Sequence, residues 1–201
     1  MERGEVDQSK RTTLRRFAAL GAASPLVSIA SAEERNTDTP EAIVGYVSAT
    51  PGAHFSKIRD DLKLGTGETQ HHLRRLERDD IVESRKDGDY RRYFPAGRFD
   101  EFEQVALGYL RRETPRGMMI ALLQDPETTA GELADHLSVS RPAISKYAAQ
   151  LETAGLLCRA DYTVEQEETV LLLLVRYADS FGEDAAALAD VAPTLLAYEP
   201  E

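Results

Sequence analysis

The stretch TGETQHHLRRLERDDIVESRKDGDYRRYFP, residues 66–95, decides how the chain reads. Thr69, His72, Leu73 and Leu76 recur at three- and four-residue steps, which predicts a helix from Gly67 to about Asp79 with Thr66 as its N-cap. The opposite face must then present Gly67, His71, Arg74 and Arg78, flanked by Gln70 and Arg75. Downstream, Ile81 to Lys86 reads as a strand, Asp87-Gly88 as a tight turn and Tyr90 to Phe94 as the returning strand. The arms of this hairpin carry Arg85, Lys86, Arg91 and Arg92, while Tyr93 and Phe94 read as core. Upstream, Pro40 suits the first turn of a helix whose stripe of Ile43, Val44 and Val47 ends at Pro51-Gly52. His54 and Phe55 predict a short strand. Ser56 predicts the cap of a second helix, Lys57 to Lys63, with Ile58 and Leu62 inward, and Leu64-Gly65-Thr66 makes the turn. Two helices joined by a turn and followed by a hairpin make a winged helix-turn-helix.

The same frame returns at a constant offset of 75 residues. Pro40, Ile43, Val44, Val47, Pro51, Ile58, Leu62, Leu64, Leu76, Ile81 and Val82 fall opposite Pro115, Met118, Met119, Leu122, Pro126, Leu133, Leu137, Val139, Leu151, Leu156 and Leu157 without a gap. Repeats of this length can each close a core, so they predict two small domains rather than a solenoid. In the second copy, Thr129 to Glu132 has capping-box spacing, and Ser138-Val139-Ser140 makes the turn. A helix from Arg141 to Ala154 then places Ile144, Tyr147, Ala148 and Leu151 inward. Its outward face reads Pro142, Lys146, Ala149 and Thr153, flanked by Ser145 and Gln150, so only Arg141 and Lys146 remain to meet phosphate. The expected fold is mainly α with small β-hairpins: two winged helix-turn-helix domains joined by a helix, plus a C-terminal dimerisation helix. The segments are an arm over 1–36, partly helical or disordered; a first domain over 37–97; a linker helix over 98–114; a second domain over 115–164; and C-terminal helices over 165–201.

Charge divides the copies. The chain of 201 residues carries a net charge of −11, which by itself argues against a polyanionic partner. Yet His54 to Arg98 holds eleven Lys or Arg against nine Asp or Glu, whereas Thr128 to Glu201 holds four against thirteen. The cations gather in the first copy. With nineteen Arg to five Lys, the acidic composition resembles that of proteins from salt-loving archaea, where screening shortens the Debye length to about 3 Å at 1 M salt.

The run from Gly67 to Glu77 through Tyr90 to Pro95, with Arg141-Pro142-Ala143-Ile144-Ser145-Lys146 in the second copy, resembles archaeal winged helix-turn-helix transcription regulators of the ArsR/MarR type. The resemblance implies that the third helix of a copy reads DNA and that the wing grips its backbone. Candidate contacts are then Gln70, His71, Arg74, Arg75, Arg78, Arg85, Lys86, Arg91, Arg92, Arg141, Ser145 and Lys146. Such geometry suits a major groove, where Arg forks onto guanine and Gln onto adenine. The bland alternative is a solvated charged face, with Glu77, Asp79 and Asp80 at hand to neutralise the arginines.

The expected partner is duplex DNA, and the expected state a homodimer, because Val170 to Val175 is six apolar residues in a row and needs cover on several sides. An unknown effector is left open. A cytoplasmic protein without catalytic residues, cofactor or metal is expected. The four His form no catalytic pattern legible from spacing, Ala134, Asp135 and His136 stand where ArsR relatives often hold metal-binding cysteines, and lone Cys158 reads as a buried strand residue. A competing class is a protein-docking module in which the winged domains bind no specific DNA. Lys10, Arg11, Arg15 and Arg16 before a weakly apolar run to Ile29 look like a twin-arginine export signal, but Pro25 interrupts the run and it is too short to span a bilayer.

Overall fold

The computed structural model describes residues 38–195, so the reading of residues 1–36 as an arm lies outside the described residues. The chain divides into two compact units between Asp100 and Glu101.

In the first unit, α1 (Asp38–Ala49) packs its Ala42, Ile43, Tyr46 and Val47 into the core and stops ahead of Pro51. A short β1 (Ala53–His54) leads into α2 (Phe55–Asp61) and α3 (Thr66–Arg78). The wing is β2 (Val82–Asp87) paired antiparallel with β3 (Tyr90–Pro95), and β1 adds to the free edge of β3, giving the order β1-β3-β2. Asp87 faces Tyr90, so the hairpin turns on Gly88 and Asp89, with Gly88 at φ +59°. Two expected caps fall one or two residues late. His54, not Ser56, caps α2, its ring Nδ1 accepting from the Lys57 amide at 3.2 Å. Gly65, not Thr66, caps α3, and the Glu68 carboxylate accepts the Gly65 amide at 3.2 Å.

The second unit opens with α4 (Glu101–Leu110), continues through α5 (Glu113–Gln124), α6 (Ala130–His136) and α7 (Arg141–Thr153), and closes a two-residue hairpin, β4 (Leu157–Cys158) with β5 (Thr163–Val164). Then come α8 (Glu167–Arg176), α9 (Ala178–Phe181) and α10 (Glu183–Leu195). Thr129 and Glu132 form the expected capping box, each amide bound by the other's side chain. Cys158 is half-buried rather than buried.

The duplication extends to single backbone angles. Lys63 (φ 55°) and Ser138 (φ 54°) leave α2 and α6 through the left-handed region, as Asp80 (φ 52°) and Gly155 (φ 71°) leave α3 and α7. Each exit carries the six-to-one hydrogen bond of a Schellman cap: Leu64 N–H to Arg59, Val139 N–H to Ala134, Ile81 N–H to Leu76 and Leu156 N–H to Leu151, all at 2.9 to 3.0 Å. Each copy is a winged helix-turn-helix.

The helix joining the copies, α4, falls in the second unit and packs on α5 and α8, while Phe99 stays with the first unit against Phe94. One expectation needs correction. The apolar run in α8 is covered by the chain itself, because α10 folds back onto it and buries Ala185, Leu188 and Ala192. Val170, Leu171, Leu173 and Leu174 are buried, and only Leu172 of the run, 61% exposed, stands out to solvent. Arginines lock this arrangement. Arg116 Nε lies 2.7 Å from Asp184 and Nη1 donates to Leu110 carbonyl, while Arg111 donates to Ser180 carbonyl at 2.7 Å.

Leu76 and Leu151 hold equivalent buried positions in separate cores. Leu76→Ala and Leu151→Ala should each cost about 2–5 kcal/mol. Hydrogen exchange should show faster opening confined to the unit carrying the change; opening spread equally over both units would contradict the division.

Candidate nucleic-acid interface

The inward stripe of α3 is the predicted one: Thr69, His72, Leu73 and Leu76 are buried. With successive residues turned by 100°, burial of that stripe turns Gly67, Gln70, His71, Arg74, Arg75 and Arg78 to solvent, and all six are exposed. Gly67, Gln70, His71, Arg74, Glu77 and Arg78 line one shallow depression along the helix. The acidic neighbours do not neutralise this face uniformly. Arg75 lies 3.6 Å from Asp79 in an exposed i, i+4 pair, and Arg78 folds back to donate to the Arg74 carbonyl at 3.3 Å. Glu77 is turned to the wing, where it accepts from the Ser84 hydroxyl.

The hairpin sorts its cations by strand alternation. Lys86 and Arg91 face each other across the ladder and both are exposed. They share a face with Ser84 and Tyr93, which is the face toward α3. Burial pushes the Tyr93 phenol above its ordinary pKa, with Glu77 acting the same way and Arg91 and Arg74 opposing it, and the hydrogen bond from Ser84 to Glu77 seats this face of the wing beside α3. Helix and wing therefore bring Arg74 and Arg91 to one side. Arg92, on the other face with Phe94, is not a surface cation. Only 3% exposed, it pairs with Asp87 through Nε and donates to the Gly52 carbonyl at 2.9 Å through Nη1. Arg85, opposite Arg92, is half-buried.

In the second unit Arg141, Ser145 and Lys146 are exposed on the first two turns of α7, with Arg141 lying over Gly131. Beyond them the outward face changes character: Ala149 and Gln150 are half-buried, and the Tyr109 hydroxyl of α4 donates to the Gln150 carbonyl at 3.3 Å. Arg159, the cation of the short wing, lies 3.4 Å from Glu152 of α7. Nothing in the sequence spacing says which helix Tyr109 meets. Strand alternation was the available signal for Arg92, since consecutive residues Arg91 and Arg92 must point to opposite faces.

Two histidines sit at the base of the first-unit site. His54 caps α2 and stacks on Tyr90, ring centroids 4.9 Å apart, so it ties the helix start to the wing tip. Burial, then the charges of Arg92 and Lys57, hold its pKa below the usual histidine value, against Asp60 and Asp61. Buried His72 is lowered too, by burial first and then by His71, against Glu68. Both favour the neutral ring in the folded state. Among the described residues no three His, Cys, Asp or Glu converge to hold a metal, and no helix is long and apolar enough to cross a membrane.

This is the architecture of a tandem helix-turn-helix protein. A family model described as an N-terminal HTH domain matches residues 37–107, and a second, described as an HTH domain, matches residues 117–168. The chain is also similar to an uncharacterized HTH-type transcriptional regulator of Methanocaldococcus jannaschii, 27% identical over 120 residues. That match takes in 60% of this chain but 30% of the relative. No solved structure matches.

Removing Arg92 should take from the Asp87 carboxylate its buried guanidinium partner and from the Gly52 carbonyl its side-chain donor. Arg92→Met is expected to cost about 3 kcal/mol in urea denaturation, while Arg91→Met stays within about 0.5 kcal/mol. Equal losses at the two positions would refute the assignment of Arg92 to the interior. For pH, the sign follows from the lowered folded pKa of His54: the unfolded chain takes up its proton near pH 6.5 and the folded chain does so only lower. Stability from this residue is thus present above that pH and is lost as pH falls below it. His54→Asn keeps a cap acceptor and removes the titration, so its melting temperature should fall less than the parent's between about pH 7.5 and 5.5.

Proposed function

We propose that the protein is a transcription regulator of the archaeal winged helix-turn-helix type, similar to the ArsR/MarR group, that binds duplex DNA sequence-specifically from the cytoplasm. The first copy does the reading. Helix α3 enters the major groove with Gln70, His71 and Arg74 toward base edges, and Arg75, Arg78, Arg85, Lys86 and Arg91 meet the phosphates. The observation that carries this reading is the convergence of exposed Arg74 on the helix with exposed Lys86 and Arg91 on the wing, in a chain that is otherwise strongly acidic. The two HTH family matches and the regulator-like relative support the class.

We further propose a homodimer. Two copies of α3 spaced about 34 Å apart would meet successive major grooves on one side of the duplex and favour a palindromic site. The acidic, arginine-rich composition fits a cell interior of high salt, where repulsion between the acidic surface and DNA is screened.

Gel-shift titration on fragments selected from random duplex, begun at high salt, tests the reading. Affinity should fall steeply with salt, and Arg74→Ala or Arg91→Ala should each lower the slope of log K against log salt by about 1. Arg74→Ala should also relax base preference at one position. No preference for any duplex at any ionic strength would sink the proposal in favour of a protein-docking module.

A further inference from the structure

Glu77 stands where a carboxylate should harm a DNA reader. It lines the same depression of α3 as Arg74 and Arg78, and an acid there repels the phosphates those arginines would meet. Its spacing from Arg74, three residues along the helix, suits an ion pair, yet among the described residues Glu77 forms none. Its carboxylate instead accepts from the Ser84 hydroxyl of β2, half-buried on the face of the wing that carries Lys86 and Arg91. The bond crosses from helix to wing.

The second copy makes a helix-to-wing contact at the same two positions. At the offset of 75 residues, Glu77 corresponds to Glu152 and Ser84 to Arg159, and Glu152 of α7 lies 3.4 Å from Arg159 of the short wing. The partners differ in charge. The second copy commits its wing cation to the contact, whereas the first uses a neutral hydroxyl and leaves Lys86 and Arg91 exposed.

We propose, given the DNA-reading role assigned above to the first copy, that Glu77 is a positioning residue: through Ser84 it sets the angle between α3 and the wing. Arg74 in the groove and Lys86 and Arg91 on the backbone then engage one duplex at once. Specific binding needs helix and wing in place together, while non-specific binding needs only cations near phosphate. A fixed angle therefore contributes more on a selected site than on random duplex, because the free protein has less freedom left to lose.

The test compares two changes that remove the same charge. Glu77→Gln keeps an acceptor for the Ser84 hydroxyl, and Glu77→Ala does not. On a duplex selected by the parent protein, Glu77→Ala should lose about fivefold in affinity, the contribution of one hydrogen bond, although it takes an acid away from the DNA-facing side. On random duplex it should lose little. Glu77→Gln should bind as tightly as the parent or more tightly. Ser84→Ala should copy Glu77→Ala, Ser84→Thr should bind as the parent does, and the double alanine variant should lose no more than either single one. Asp79→Ala, which removes an acid paired with Arg75, should raise affinity. Relaxation dispersion at the amides of Ser84, Lys86 and Arg91, without DNA, reads the contact itself. Microsecond-to-millisecond exchange should appear in Glu77→Ala and stay absent from Glu77→Gln. Equal affinities for the Ala and Gln variants, tighter binding by Glu77→Ala than by the parent, additive losses, or an Ala variant without added exchange would each overturn the assignment. A parent that selects no duplex would count against DNA reading instead, and the DNA-free exchange would still decide whether Glu77 holds the wing.

Discussion

The orientation of α3 is the constraint on which the first unit depends. Four residues of that helix, Thr69, His72, Leu73 and Leu76, are committed to the core, and each large apolar side chain buried contributes about 1.5–3 kcal/mol. That commitment fixes the rotation of the helix about its axis. Gln70, His71 and Arg74 then have nowhere to point but outward, whatever their charge. Both helix ends reinforce the setting. Glu68 holds the Gly65 amide at the start and accepts from Thr39 of α1 at 3.4 Å, and the Schellman exit through Asp80 fixes where the wing begins. The functional face is therefore a by-product of packing, aimed by residues that never reach it.

The second unit obeys the same constraint and exploits the freedom it leaves. Ile144, Ala148 and Leu151 lock α7 as their counterparts lock α3, down to the left-handed residues at positions 138 and 155. Nothing in that packing dictates what the outer face carries. Where the first copy has Arg74 and Arg78 the second has Ala149 and Thr153, and α4 sets Tyr109 against that helix. Duplicated frames diverge most readily where side chains contribute least to stability, which is why the two outer faces share geometry but not chemistry.

Legibility in the sequence followed the range of the interaction. The inward stripes of α3 and α7 and the hairpin were readable, because periods of 3.6 and 2 are local signals. Caps were readable to within two residues: Ser56 and Thr66 are favourable types, but the position is decided by which residue adopts extended backbone, and that is His54 and Gly65. What failed was long-range. Cover for the α8 run comes from α10, a separate helix that folds back onto it, so an apolar sequence that looked short of partners on its own was already satisfied. Arg92 failed for a different reason. Its charge suggests exposure, yet register places it beside Phe94, and a buried arginine is tolerated there because Asp87 and the Gly52 carbonyl meet its donors.

That buried arginine bears on how the wing presents Arg91. A two-stranded hairpin alone is marginally stable in water and would hold its tip loosely. Here β1 adds a third strand at Ala53 and His54, Arg92 ties the turn residue Asp87 to the loop at Gly52, and His54 stacks on Tyr90. Three contacts from one side of the ladder anchor the wing to the body. Lys86 and Arg91, on the other side, are spared any structural duty and remain exposed while their backbone is held rigid. A cation presented from a rigid strand loses less freedom on meeting an anion than one on a mobile loop, so the interior pair contributes to recognition through pre-organisation rather than through contact.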